Sequence, residues 1–213
     1  GKSDGQRGHA ESFDVFCREI DFFLNDLVSR EPLIPVFLYG HSLGGLITLY
    51  YSLLRKPQNI KGVVCTSPGL KPGYPIPAWK TFFGNLLYKI APRFTMDNGL
   101  PLEYISHDKN IVAAYKADPL NHPGISARMG MDLIRNGLIV SSKAHEMMLP
   151  LLLMVGSADQ LVDPQAVIEF GTKSNHNTTL KVWDDGFHEL HNETFKTEVL
   201  ITITDWIKKT ASG

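Results

Sequence analysis

The chain has 213 residues, 43% hydrophobic and 20% charged, with a formal net charge of −1. That length suits one domain, or one domain carrying an insertion, with enough apolar residues for a sizeable core. The balanced charge offers no basic face, so no nucleic-acid partner is expected, and no apolar run nears the roughly 18 residues of a membrane span.

Residues 11–29 place Phe13, Phe16, Ile20, Phe23 and Leu27 three and four apart, which predicts an amphipathic helix. "PVFLYG" (35–40) follows two prolines as a short apolar run and reads as a buried strand. "LITLYYSLLRK" (46–56) is helical by length and composition, and "IKGVVCTSPG" (60–69) is a second, β-branched strand closed by Pro and Gly. From Pro68 to Met148 no strand alternation is visible; Pro72, Pro75, Pro77, Pro92, Pro101, Pro119 and Pro123 punctuate short helical pieces. Strands then resume with "LPLLLMVGSAD" (149–159) and "TLKVWDDG" (179–186). A helix over 163–173 has Asp163 at the cap and Pro164 at its first position, and a closing helix over 192–209 has Asn192 as cap and Glu193 in its first turn. Cys17 and Cys65 sit in apolar patterns and read as buried thiols, a single disulfide between them being the alternative.

Apolar strands alternating with helices predict an α/β fold, a mostly parallel sheet covered on both faces. The expected organisation is a core in two parts, residues 1–67 and 149–213, with 68–148 inserted as a helical cap or lid. The run "VFLYG" is apolar enough for a central strand, yet one helix precedes it. An exposed parallel edge this apolar invites aggregation, so the chain reads as a fragment whose leading strands lie outside it. The alternative is a true edge strand protected by the N-terminal segment.

"FLYGHSLGGL" (37–46) carries the chemistry. Gly40-His41-Ser42-Leu43-Gly44 fits G-x-S-x-G at a junction of strand and helix, where a serine on a strained turn projects its hydroxyl and leaves the next N–H facing the same space. The helix N-terminus adds partial positive charge. Alone the pentapeptide is weak. It needs an acid and then a histidine downstream, each just past a strand. Asp159 stands past "LLLMVG"; the rival Asp163 reads as a helix cap. His188 follows "LKVW" by a short Gly-containing turn; the rival His191 reads as packing near the closing helix. Together they predict attack by Ser42 on an acyl carbonyl, with His188 as base, Asp159 orienting it and the Leu43 N–H as an oxyanion donor.

With these residues assembled, the chain resembles the monoacylglycerol lipase and lysophospholipase group of the α/β-hydrolase, serine aminopeptidase-like superfamily. The resemblance rests on "GKSDGQRGHAESFDVFCREIDFFL", "PVFLYGHSLGG", "AAYKADPL", "GSADQLVDP" and "GFHELHNE". It implies an α/β-hydrolase fold, Ser42, Asp159 and His188 as triad, and no cofactor or metal. It also implies leading strands and an H-G loop giving the second oxyanion donor, neither of which is seen here; by the size of a βαβ unit that part amounts to on the order of 60–80 residues. The implied substrate is a lipid ester, a monoacylglycerol or lysophospholipid. Tyr115 is then placed to touch its polar head and His41 to contact it beside the nucleophile, with core packing as the alternative for both. The stripe Trp79, Phe82, Phe83, Leu86, Leu87 and Ile90 reads either as simple packing or as an acyl channel or lid meeting a membrane surface. The expected location is cytoplasmic, with membrane association through the cap. A thioesterase or peptidase of the same fold, and a non-catalytic hydrolase-like protein, are the competing readings. Oligomeric state is not legible.

Overall fold

The computed structural model describes residues 1–212. In chain order its elements are α1 (Phe13–Arg30), β1 (Phe37–His41), α2 (Leu43–Arg55), β2 (Gly62–Thr66), α3 (Ala78–Ile90), β3 (Thr95–Asp97), α4 (Lys109–Ala117), β4 (Gly124–Ser126), α5 (Ala127–Ser142), β5 (Leu151–Gly156), α6 (Pro164–Lys173), β6 (Thr178–Trp183) and α7 (Lys196–Ser212). The main sheet runs β1-β2-β5-β6, every pair parallel.

The period of two along the strands explains their continuous apolarity. Val63, Cys65, Leu151, Leu153 and Val155 point to one face, where Leu46, Leu49, Leu53, Val167 and Phe170 cover them from α2 and α6. Val64, Leu152 and Met154 point to the other, under Val199 and Ile203 of α7. Both faces are buried, so polar alternation is absent, as parallel sheets require. Both cysteines are buried and unpaired, as thiols.

Three sequence expectations shift, and the alternative of a shielded edge strand falls. The inward face of α1 is Phe13, Cys17 and Leu24, whereas Phe23 and Leu27 lie outward, one helical step from the expected stripe. β1 pairs on one side, with β2. Residues 1–9 do not shield it; they lie on the insertion, where Gly8 O accepts the Ser126 N–H at 2.9 Å and Gln6 Nε2 donates to Arg93 O at 2.7 Å. The insertion between β2 and β5 holds a small antiparallel ribbon, β3 with β4, too short to show a period. The closing helix starts at Lys196, because a one-turn 3₁₀ segment over Leu190–Asn192 comes first and the Glu193 side chain turns into the interior.

Within the insertion α5 packs against α2 and α3, fixing the cap over the C-terminal end of the sheet. Ser126 caps α5 by accepting the Met129 N–H, and Asp108 caps α4 by accepting the Asn110 N–H. Among the described residues no helix is long and apolar enough to cross a membrane.

Candidate active site

β1 and α2 meet at Ser42, whose φ of 53° and ψ of −118° lie outside the regions an L-residue prefers. Such a backbone costs about 1–3 kcal/mol and persists where its surroundings over-determine it. Here they do. The Ser42 N–H donates to Thr66 O at 3.0 Å, and its carbonyl accepts both the Leu46 and Gly69 N–H groups, at 3.0 and 2.9 Å. Gly40 makes the turn sterically feasible: a Cβ there would stand 2.4 Å from Gly44 O and 2.5 Å from Thr48 Oγ1. Leu43 is the first residue of α2, so its N–H has no intrahelical acceptor and points from the positive end of the helix.

Asp159 and His188 come together from the ends of β5 and β6. The two following loops are stitched to each other: Ala158 N–H donates to Gly186 O at 3.0 Å, and Asp185 N–H to Ser157 Oγ at 2.8 Å. They approach so closely at Gly156 that a Cβ would lie 2.1 Å from Gly186 O. Asp159 is 3% exposed and His188 4%. His188 Nδ1 lies 2.8 Å from Asp159 Oδ2. A carboxylate only accepts, so Nδ1 carries the proton and Nε2 keeps its lone pair. Asp159 Oδ1 accepts the N–H groups of Leu161 and Val162 at 2.8 and 3.0 Å, which fixes the carboxylate. No hydrogen bond links His188 Nε2 to Ser42 Oγ among the described residues, and Nε2 is not one of the sealed, unpartnered atoms. It is therefore not wholly enclosed, although neither His188 nor Asp159 is among the residues lining the cavity beside Ser42. The rivals have other partners: Asp163 caps α6 through Gln165 N–H and pairs with Lys71 at 2.6 Å, and His191 Nδ1 faces the Tyr39 hydroxyl at 3.4 Å.

Three imidazoles cluster at this edge. The His41 ring centroid lies 4.7 Å from that of His188 and 4.8 Å from that of His191. His41 Nδ1 donates to the Thr66 carbonyl at 3.1 Å. Burial, followed by the neighbouring His188 and His191, pushes the His41 pKa down to about 3. Burial also lowers that of His191. Both rings are thus neutral near pH 7 and set no fixed positive charge against an imidazolium at His188.

A cavity of about 580 Å³ opens at the elbow, within the usual size of small-ligand sites. Ser42 and Leu43 form its floor beside Gly69, and the insertion supplies Tyr74, Ile76, Met131 and Ile134 as largely apolar walls. His41 and Tyr115 are half-buried and are not part of that lining. Residues that sequence reasoning passed over hold the His188 loop: Ser67 Oγ donates to His188 O at 2.9 Å, and His188 N–H donates to Tyr104 O at 3.2 Å. Ser67 has a φ of 44°, a left-handed serine directly after β2 that no local motif announces.

This geometry matches known proteins along nearly its whole length. The family model for serine aminopeptidase, S33, matches residues 1–195. An uncharacterized abhydrolase domain-containing protein of Dictyostelium discoideum is 34% identical over 98% of this chain, which spans 22% of that protein's length. Monoglyceride lipase of Rattus norvegicus is 30% identical over 97% of the chain and 69% of its own length. The crystal structure of a monoacylglycerol lipase from Paleococcus ferrophilus superposes with a TM-score of 0.90 at 30% identity, covering 100% of this chain and 79% of that one. The chain belongs to the serine aminopeptidase S33 family and has its α/β-hydrolase fold.

Proposed function

We propose that the chain carries the catalytic machinery of a serine ester hydrolase acting on single-chain lipid esters, monoacylglycerols or lysophospholipids. One observation supports the reading: the strained Ser42 lines an apolar cavity, and His188 of the buried Asp159–His188 pair stands with its ring centroid 4.7 Å from that of His41, the residue directly before Ser42. Ser42 Oγ attacks the acyl carbonyl while His188 Nε2 takes its proton. Asp159 holds the tautomer and stabilises the imidazolium. The Leu43 N–H meets the developing oxyanion; one such donor contributes about 100–1,000-fold in rate. His188 then returns the proton to the leaving alcohol, and water repeats the sequence to release the fatty acid. The similarity to lipases named for monoacylglycerol favours that substrate class.

Residues 68–148 act in this reading as the cap, between core parts 1–67 and 149–213. Its helix α3 has no buried residue and exposes Trp79, Phe82, Phe83, Leu86 and Ile90 beside Lys80 and Lys89. This face suits transient contact with a membrane surface, from which a lipid ester would enter the cavity. The test is a substrate panel on the purified chain and on Ser42→Ala. Monoacylglycerol or lysophospholipid hydrolysis that vanishes in the variant supports the reading. Faster turnover of acyl thioesters or aminoacyl amides replaces the substrate class, and turnover equal in the variant overturns the mechanism.

A further inference from the structure

We propose that Glu193 is a positioning residue: its buried carboxylate holds the His188 loop in register with the cap-side segment 104–107. The inference rests on the hydrolase reading for its consequence, though not for its geometry. Glu193 is 0% exposed, among the largest fully buried side chains of the molecule. A carboxylate so enclosed persists where donors saturate it. Oε1 accepts the Phe187 N–H at 2.9 Å and faces His107 Nδ1 at 3.0 Å. Oε2 accepts the His107 and Thr194 N–H groups at 3.2 and 3.1 Å. The acid therefore ties the residue directly before His188 to His107 of the insertion, which lies 86 positions from Glu193 in the sequence.

The surrounding contacts close the same seam. His107 stacks on Phe187 with centroids 3.6 Å apart and planes at 22°. Ser106 Oγ donates to Asn192 O at 2.8 Å, and Glu189 N–H donates to Ile105 O at 2.8 Å. His188 thus sits between Phe187, whose amide is held by Glu193, and Glu189, whose amide is held by the insertion, and its own N–H donates to the insertion as well. Asp159 fixes the ring by one bond only, so the backbone frame must set where Nε2 points. Glutamine at 193 keeps the shape but substitutes an amide nitrogen for one oxygen. With the amide nitrogen at the Oε2 position the His107 and Thr194 N–H groups lose their acceptor; at the Oε1 position the Phe187 N–H does, and His107 Nδ1 must take the other tautomer to accept.

The test compares the wild-type chain with Glu193→Gln by steady-state kinetics and by hydrogen–deuterium exchange read on peptides. A displaced His188 loop lowers kcat about 100-fold, with KM unchanged within about threefold. Exchange rises in segments 102–108 and 184–194, while peptides from β2 and β5 keep wild-type protection. A kcat within about twofold of wild type, or unchanged exchange in 184–194, overturns the proposal. So does a uniform rise in exchange with normal kcat, which marks a purely structural role. If Glu193→Gln yields no folded protein, His107→Ala removes one donor from the same carboxylate at a half-exposed position and is judged by the same local exchange and kcat. A wild-type chain that turns over no ester counts against the hydrolase reading, and the exchange comparison then decides the role of Glu193 by itself.

Discussion

The loop after β5 and the loop after β6 carry the two halves of the Asp159–His188 pair, and they are held in opposite ways. Asp159 is fixed by its own neighbourhood, its carboxylate accepting N–H groups two and three residues ahead. His188 is fixed from afar, by Tyr104, Ile105 and the Glu193–His107 contact on one side and Ser67 on the other. The acid's carboxylate is thus held by a local turn, itself tied to the insertion where Gly73 N–H donates to Leu161 O and Asp163 N–H to Lys71 O, whereas the backbone around the base is held from the end of β2, the insertion and the C-terminal segment.

The largest break in this contrast falls on the acid. Asp159→Asn retains an oxygen for Leu161 and Val162 but turns an amide toward His188, favouring the wrong tautomer. A loss of about 10⁴-fold in kcat with little change in Tm is expected by kinetics and thermal melting. The nearby Asp163→Asn serves as its control: it caps α6 and should cost stability of about 0.5–2 kcal/mol at most while leaving turnover intact.

Next comes the seam between the loops. Gly156→Ala drives a methyl against the Gly186 carbonyl, and strain of this kind costs about 1–3 kcal/mol, read as a lower denaturation midpoint together with lower kcat. Gly44, part-buried on the first turn of α2, has nothing within 4 Å of an added Cβ. Gly44→Ala should leave stability unchanged or raise it by about 0.5–1 kcal/mol.

Ser67→Ala sharpens the non-local side. It strips a buried carbonyl of its side-chain donor, a penalty of about 1–3 kcal/mol, and should lower kcat about tenfold at temperatures well below Tm.

The last effect is on pH dependence and is read in stability alone. His41 has a folded-state pKa of about 3, below its unfolded value near 6.5. The unfolded chain binds the proton more readily between those values. Stability from this group is therefore full above about pH 6.5 and lost as pH falls toward 3. His41→Gln should flatten that part of the stability–pH curve, measured by urea midpoints from pH 7 to pH 4.

How much of this was legible in the sequence follows the same division. β1, β2, β5 and β6 announce themselves because strands buried on both faces must be apolar throughout, and the elbow does because Gly40 and Ser42 answer local steric demands. The positions of Asp159 and His188 just beyond β5 and β6 are readable from the strand ends. What holds His188 is not. Ser67 looks like any turn serine, and Glu193 like a helix N-terminal acid, until the fold brings His107 and Phe187 to it. The displaced stripe of α1 has the same cause: 3.6 residues per turn admits neighbouring stripes, and the partner surface on α2 chooses between them.

The most direct test of the central claim is the rate at which a fluorophosphonate phosphonylates the protein, with loss of fluoride, followed by intact mass and peptide mapping. One adduct on Ser42, formed quickly in the wild-type chain and at least about 10³-fold more slowly in His188→Gln, is the expected result. Labelling at another residue, or equal rates in the two proteins, would contradict it.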